Sequence, residues 1–347
     1  GVPQGRWILA GWAPMALAVL TKGLVGTVIP GAVLVLFCLW QRDATWWRRM
    51  HWVAGLLLFV AIAAPWFVIV SLRNPAFAEF FFIHEHFTRY LAKTHHREGA
   101  LWYYVPLLLA GALPWTGALP WVFGRATVET ADATSLDAGQ PVARALVAQQ
   151  RVLLAWAALV FVFFSLSGSK LPSYILPMFP ALAMLLALRL RSMSAPALRG
   201  SLAVPALAWL LALLISLQPH RFAGPNSPMA SIEPMAHAFR IGALIFMAGA
   251  AAAWLCLRGG RVTYAVLSVA LAHVLAVALV LQSHDSFGQL KSAAGPAKAL
   301  EPYLEAQTPV FAIRGYDQTL PFYLRRNVIL VDFVDEFELG QRLEPGK

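Results

Sequence analysis

Cations and histidines able to meet a negatively charged ligand are gathered in three stretches of an otherwise apolar chain. Residues 79–99 hold four of the nine histidines, together with Arg89, Lys93 and Arg97. The planar donor fork of an arginine suits a phosphate. His84 or His86 would hydrogen-bond that phosphate or ligate a divalent ion. These two histidines are two positions apart and share no helical face, so a metal would need one of them plus a carboxylate from elsewhere. The plainer alternative is an interfacial amphipathic helix over 83–90, tied by Glu85 and Arg89 at a spacing of four.

The second stretch is Ser167-Gly168-Ser169-Lys170-Leu171-Pro172-Ser173-Tyr174-Ile175-Leu176-Pro177, with Pro180 beyond. Prolines this dense break a span, and broken helices at membrane depth occur where they pack in protein or line a cavity. Lys170 is expected at the outer surface, with Tyr174 about one turn inside. Lys170 either snorkels or neutralises a lipid phosphate that Tyr174 hydrogen-bonds or gates. The third stretch, Leu20-Thr21-Lys22-Gly23-Leu24, joins two apolar runs. Lysine so placed is costly and often functional, although an anchoring residue at a tight helical turn reads the same way. The chain shows no acid/base dyad, no nucleophile elbow and no phosphate-cradling glycine loop.

The elements that must position these residues are membrane helices. Hydrophobic residues make up 59% of the 347 positions and charged residues 13%, against about 25% charged in soluble domains. Nine hydrophobic segments approximate spans, at 7–20, 24–40, 52–72, 101–123, 152–167, 171–190, 201–217, 240–257 and 262–282. The first is short, and starts before Trp7, tilts or breaks near Pro14. Alternate loops carry Arg42, Arg48 and Arg49; Arg125, Arg144 and Arg151; Arg189, Arg191 and Arg199; and Arg258 with Arg261. This bias marks the cytoplasmic side and accounts for the net charge of +10 without a nucleic-acid partner. Tryptophan and tyrosine at span ends (Trp46, Trp47, Trp52, Trp102, Tyr103, Tyr104) read as an aromatic belt. Cys38 and Cys256 offer no disulfide or metal spacing.

Composition becomes that of a soluble protein after Ser283. A short helix is expected over 298–305, with buried strands over 309–313 and 328–334. The fold class is therefore an all-α polytopic membrane protein with a small α/β C-terminal module. The expected division is a transmembrane domain at 1–282, with an outer loop at 73–100, and a module at 283–347. By charge parity that loop and module face the periplasm of a bacterial inner membrane.

Several motifs in order carry a resemblance. They are Leu20-Thr21-Lys22-Gly23-Leu24 with Ile29-Pro30-Gly31; His84-Glu85-His86-Phe87-Thr88-Arg89-Tyr90; Trp102-Tyr103-Tyr104-Val105-Pro106; the Ser169 to Pro177 string; and Tyr316-Asp317-Gln318-Thr319-Leu320-Pro321-Phe322-Tyr323-Leu324. Together they resemble the bacterial lipid A aminoarabinose transferases, within the class related to protein O-mannosyltransferases. The resemblance implies transfer of a sugar from undecaprenyl phosphate to an acceptor such as lipid A, with inversion at the anomeric carbon. It implies a carrier-phosphate role for Arg89, a zinc contact at His84, a cavity lysine at Lys22 and a carrier-responsive tyrosine at Tyr174. His86 and Lys170 complete the expected substrate-binding set. Related acceptors, a protein hydroxyl or another glycan, stay open, as does a lipid-linked sugar transporter.

The acidic residues that the family carries in its first periplasmic loops have no counterpart in this chain, which reads as a piece of a longer protein. The chain by itself is therefore expected to be inactive, and sugar transfer by these 347 residues alone in an assay would contradict that.

Overall fold

The computed structural model describes residues 4–83, 99–122, 141–334 and 337–343. It is a multi-pass helical membrane protein with a small two-stranded module near its C-terminus. Among the described residues, six helices are long and apolar enough to cross a bilayer, or up to seven if a bent pair counts as one span. Contacts divide the chain into two compact units, Gly1–Pro205 and Ala206–Lys347.

In the first unit, α1 (Gln4–Lys22) and α2 (Val25–Gln41) form a hairpin. Gly23 makes the turn at φ +76°, where its N–H donates to the Val19 carbonyl at 2.9 Å. A side chain there would be strained, so glycine is the residue that fits. Helix α1 starts at Gln4 and runs unbroken through Pro14, which resolves the expected short first segment in favour of an earlier start. After the one-turn helix α3 (Thr45–Arg48), helix α4 (Trp52–Arg73) packs beside α1. Gly55 lies against the Trp12 indole and Gly5 against His51, so α1 and α4 run in the same direction.

The next span is broken. Helix α5 (Tyr104–Gly111) and the short turns through α6 (Leu119–Val122) meet at 108°. Helix α7 (Pro141–Leu166) then packs on α2, and its Arg151 hydrogen-bonds Gln41. A 3₁₀ segment, Pro172–Met178, leads into α8 (Phe179–Ser192), which returns along α7. Pro177 and Pro180 lack the N–H groups that an α-helix would need here. Helices α9 (Ala195–Ser201) and α10 (Ala203–Ser216) follow.

The second unit is built on the hairpin of α11 (Met229–Arg258) and α12 (Val262–Ser283). Small residues line the contact: Gly242, Ala243, Gly249 and Ala253 face Ala265, Ala272 and Ala276. In lipid, close backbone approach of this kind drives helix association where apolar burial alone does not. The Trp209 indole N–H donates to His273 Nδ1 at 3.2 Å, which satisfies both polar groups inside the helices.

The C-terminal module holds α13 (Asp285–Lys291), α14 (Ala294–Leu300), β1 (Phe311–Ile313), α15 (Leu320–Leu324), β2 (Ile329–Val331) and α16 (Glu338–Leu343). Strands β1 and β2 pair in parallel, with Ala312 opposite Leu330. Their connection contains α15, as a parallel crossover requires. The strands fall where the apolar runs place them, but they are not buried. Phe311, Ile313, Ile329 and Val331 are exposed, because nothing among the described residues covers that face of the sheet.

A Cβ on Gly249 would lie 2.3 Å from that of Ala272. Gly249→Leu is therefore expected to lower stability by about 1–3 kcal/mol, read as a fall in Tm in detergent. Gly288→Leu, where a Cβ meets open space, is expected to leave Tm unchanged.

Candidate functional site

The alternation of helices brings distant motifs to one end of the first unit. Chain direction reverses at Gly23, α4 parallels α1, and α7 pairs with α2 through Arg151 and Gln41. Lys22 at the end of α1, the exit of α4 at Arg73 and the end of α7 at Leu166 consequently share that end.

Its centre is Lys170. Helix α7 stops at Leu166, leaving its last carbonyls without intrahelical donors. The Lys170 Nζ donates to the Ser165 carbonyl at 2.7 Å and the Ser167 carbonyl at 3.0 Å. It also sits 5.8 Å from the centre of the Tyr104 ring, within cation–π range. Lys170 is only 5% exposed, so the expected surface position is corrected. The orphaned helix-end carbonyls draw the ammonium inward, and Gly99 packs on its stem where a Cβ would lie 2.8 Å from Lys170 Cδ. Among the described residues it has no carboxylate partner. Burial pushes its pKa below the ordinary lysine value.

In the sequence Tyr104 belongs to the aromatic belt and to the Trp102 to Pro106 motif, with no site role of its own. It is in fact fully buried. Its hydroxyl donates to the Leu171 carbonyl at 3.0 Å and accepts from the Leu171 N–H at 3.2 Å. This ring fixes the start of the 3₁₀ segment and forms the floor beside the ammonium. Tyr174 follows on that segment, half-buried, its ring 5.0 Å from that of Phe164. The Trp156 indole N–H anchors the far end on the Pro177 carbonyl at 2.8 Å. The hydroxyl oxygens of Ser165 and Ser169 are buried beside Lys170 without hydrogen-bond partners. Unpaired hydroxyls next to an ammonium without a counter-ion make an environment suited to an anion.

Lys22 is exposed at the same end and forms no ion pair among the described residues. His84, His86 and Arg89 lie outside the described residues, although Ile83 and Gly99 on either side are described. Among the described residues no group of three His, Cys, Asp or Glu is arranged to hold a metal. The structure thus unites the Lys22 motif with the Lys170 and Tyr174 motif at one end, and adds Tyr104.

The buried Lys170 gives a signed pH dependence. Between its depressed folded pKa and the unfolded value of about 10.4, the unfolded chain holds a proton that the folded chain releases. Stability is therefore expected to rise with pH through that alkaline window. Lys170→Met, compared by thermal unfolding across the same window, is expected to lose that rise. It should also be less stable at neutral pH, because the Ser165 and Ser167 carbonyls lose their donor.

The family described as aminoarabinose transferase C-terminal domain matches residues 296–347. An undecaprenyl phosphate-alpha-4-amino-4-deoxy-L-arabinose arabinosyl transferase from Erwinia tasmaniensis is 35% identical over 183 residues, covering 52% of this chain and 30% of the relative. One of the same description from Pseudomonas paraeruginosa is 35% identical over 221 residues, covering 58% of this chain and 37% of the relative. A crystal structure of ArnT from Cupriavidus metallidurans bound to undecaprenyl phosphate superposes with a TM-score of 0.84 at 34% identity, and its apo state with 0.83. Each covers 98% of this chain and 59% of the solved one, so the chain spans little more than half the length of that relative. The chain thus shares its fold over nearly its whole length with this solved transferase, and its C-terminal module is matched separately by the aminoarabinose transferase C-terminal domain.

Proposed function

We propose that the protein containing this chain is an inner-membrane glycosyltransferase that moves 4-amino-4-deoxy-L-arabinose from undecaprenyl phosphate to lipid A or a related acceptor. The observation that carries this reading is the superposition, over 98% of the chain, on a relative solved with undecaprenyl phosphate. The end that gathers Lys22, Lys170 and Tyr174 is the carrier-binding end, and it faces the periplasm. The basic loops at the opposite end support that orientation.

The chemistry follows from the leaving group. The bond between the anomeric carbon and the carrier phosphate breaks as an acceptor oxygen attacks from the opposite face, which inverts the anomeric centre. The carrier phosphate passes from a diester to a monoester and gains negative charge as it leaves. Fixed cations in a partly dry cavity stabilise that growing charge more than the ground state. Arg89 supplies a two-pronged contact to the phosphate, Lys22 an exposed cation, and His86 a hydrogen bond. Lys170 is held by backbone carbonyls and acts as a buried positive charge beneath the site, while Tyr174 closes on the bound carrier. A zinc role would rest on His84, and no step of the transfer is assigned to it. No residue of this chain is assigned to activating the acceptor.

The test uses membranes from cells expressing the complete reading frame, supplied with radiolabelled undecaprenyl-phosphate-aminoarabinose and lipid A. Label is expected to move to lipid A, and Arg89→Ala and Lys22→Ala are each expected to slow transfer by about 10²-fold. Intact carrier binding with no transfer of this sugar to lipid A would overturn the assignment of donor sugar and acceptor.

A further inference from the structure

The opposite end of the first unit carries a second constellation, independent of the carrier site. Between α2 and α4 the chain reads Arg42-Asp43-Ala44-Thr45-Trp46-Trp47-Arg48-Arg49-Met50-His51. Such a loop would ordinarily be held only by its ends, but here it is locked onto the helices. The Trp46 ring lies 5.9 Å from that of Phe37. Trp47 packs 4.5 Å from Trp52, which in turn lies 5.3 Å from Trp12. The Trp52 indole N–H donates to the Trp47 carbonyl at 2.8 Å, and that of Trp12 to the Met50 carbonyl at 3.0 Å. Arg42 and His51 bracket the loop in left-handed conformations, at φ 54° and 49°.

On this platform the charges are unbalanced. Asp43, the sole carboxylate of the loop, is exposed, accepts from the Thr45 N–H and hydroxyl and lies within the field of Arg49. Arg42, Arg48 and Arg49 are exposed, and no ion pair is formed by them among the described residues. Trp46 and Trp47 are 46% and 40% exposed, although buried indoles are the rule in a protein core. Exposed indoles beside guanidinium groups that outnumber the one carboxylate match the bilayer boundary, where rings sit at headgroup depth and arginines meet phosphates.

We infer that Arg42, Arg48 and Arg49, aligned by the Trp46–Trp47 platform, bind the headgroups of anionic phospholipids and seat this end of the protein in a negatively charged leaflet. A neutral leaflet would satisfy the indoles but leave three cations set against a single carboxylate. The rigidity of the platform raises affinity, because little ordering is needed on binding.

The full chain, purified in detergent, is to be titrated with an equimolar mixture of POPG and POPC, and bound lipids read by native mass spectrometry. The chain is expected to retain POPG over POPC, and each Arg→Gln change among R42Q, R48Q and R49Q to lower that preference by about fivefold. W46A/W47A should weaken retention of both lipids. Raising the salt should reduce the POPG preference. Equal retention of the two lipids by the unaltered chain, or a preference that survives the triple arginine variant, would overturn the inference. If the triple variant does not fold, as judged by size-exclusion profile, the single variants decide: three unchanged preferences overturn it. Binding of POPG only through residues outside this loop would appear as that unchanged preference.

Discussion

A buried ammonium under two helix-end carbonyls organises the end of the first unit that gathers Lys22, Lys170 and Tyr174. The last carbonyls of α7 have no donors of their own, and in an apolar setting an unsatisfied carbonyl is expensive. Lys170 meets that need through its contacts with Ser165 and Ser167. Doing so pulls the loop 167–171 back over the helix and sets Leu171 against the Tyr104 hydroxyl. The 3₁₀ segment that bears Tyr174 starts from there. One requirement of backbone chemistry thereby fixes the positions of a cation, a tyrosine floor and a tyrosine at the rim.

The same requirement explains the broken elements. Prolines at 172, 177 and 180 remove donors from what would otherwise be a plain span. The chain answers with 3₁₀ geometry, and the Trp156 indole satisfies the Pro177 carbonyl. Irregular backbone survives where protein packs against it, and that is where a site can be built without exposing polar groups to lipid. The α11–α12 hairpin shows the opposite solution. There the backbone is regular, glycine and alanine let it approach closely, and the element is a scaffold.

The two ends of the first unit use cations differently. At one end Lys170 is buried and held by carbonyls. At the other end three arginines stay exposed on an aromatic platform. Buried charge costs desolvation and therefore needs a defined partner or ligand, whereas exposed charge at a bilayer boundary is worth about 1 kcal/mol per residue toward an anionic surface. A fixed charge shapes chemistry, while a row of exposed charges shapes placement in the membrane.

Much of this architecture was legible in the sequence. Long apolar runs separated by short charged loops determine helices and their order, because hydrocarbon admits few other ways to satisfy the backbone. The Lys-Leu-Pro-x-Tyr-Ile-Leu-Pro string and the Thr-Lys-Gly turn were recognisable by residue type, and the two strands fell in the expected runs. What only the tertiary structure decided is where side chains end up. Lys170 reads as a surface residue because its neighbours in sequence are loop-like; its burial depends on Gly99 and Tyr104, more than sixty residues away. Tyr104 reads as one aromatic in a belt until the Leu171 backbone arrives to claim its hydroxyl. The apolar strands read as buried, yet burial needs a covering layer, and apolar pattern alone does not say whether one is there. Local periodicity encodes elements, whereas burial and partnership belong to pairs of elements that sequence order keeps apart.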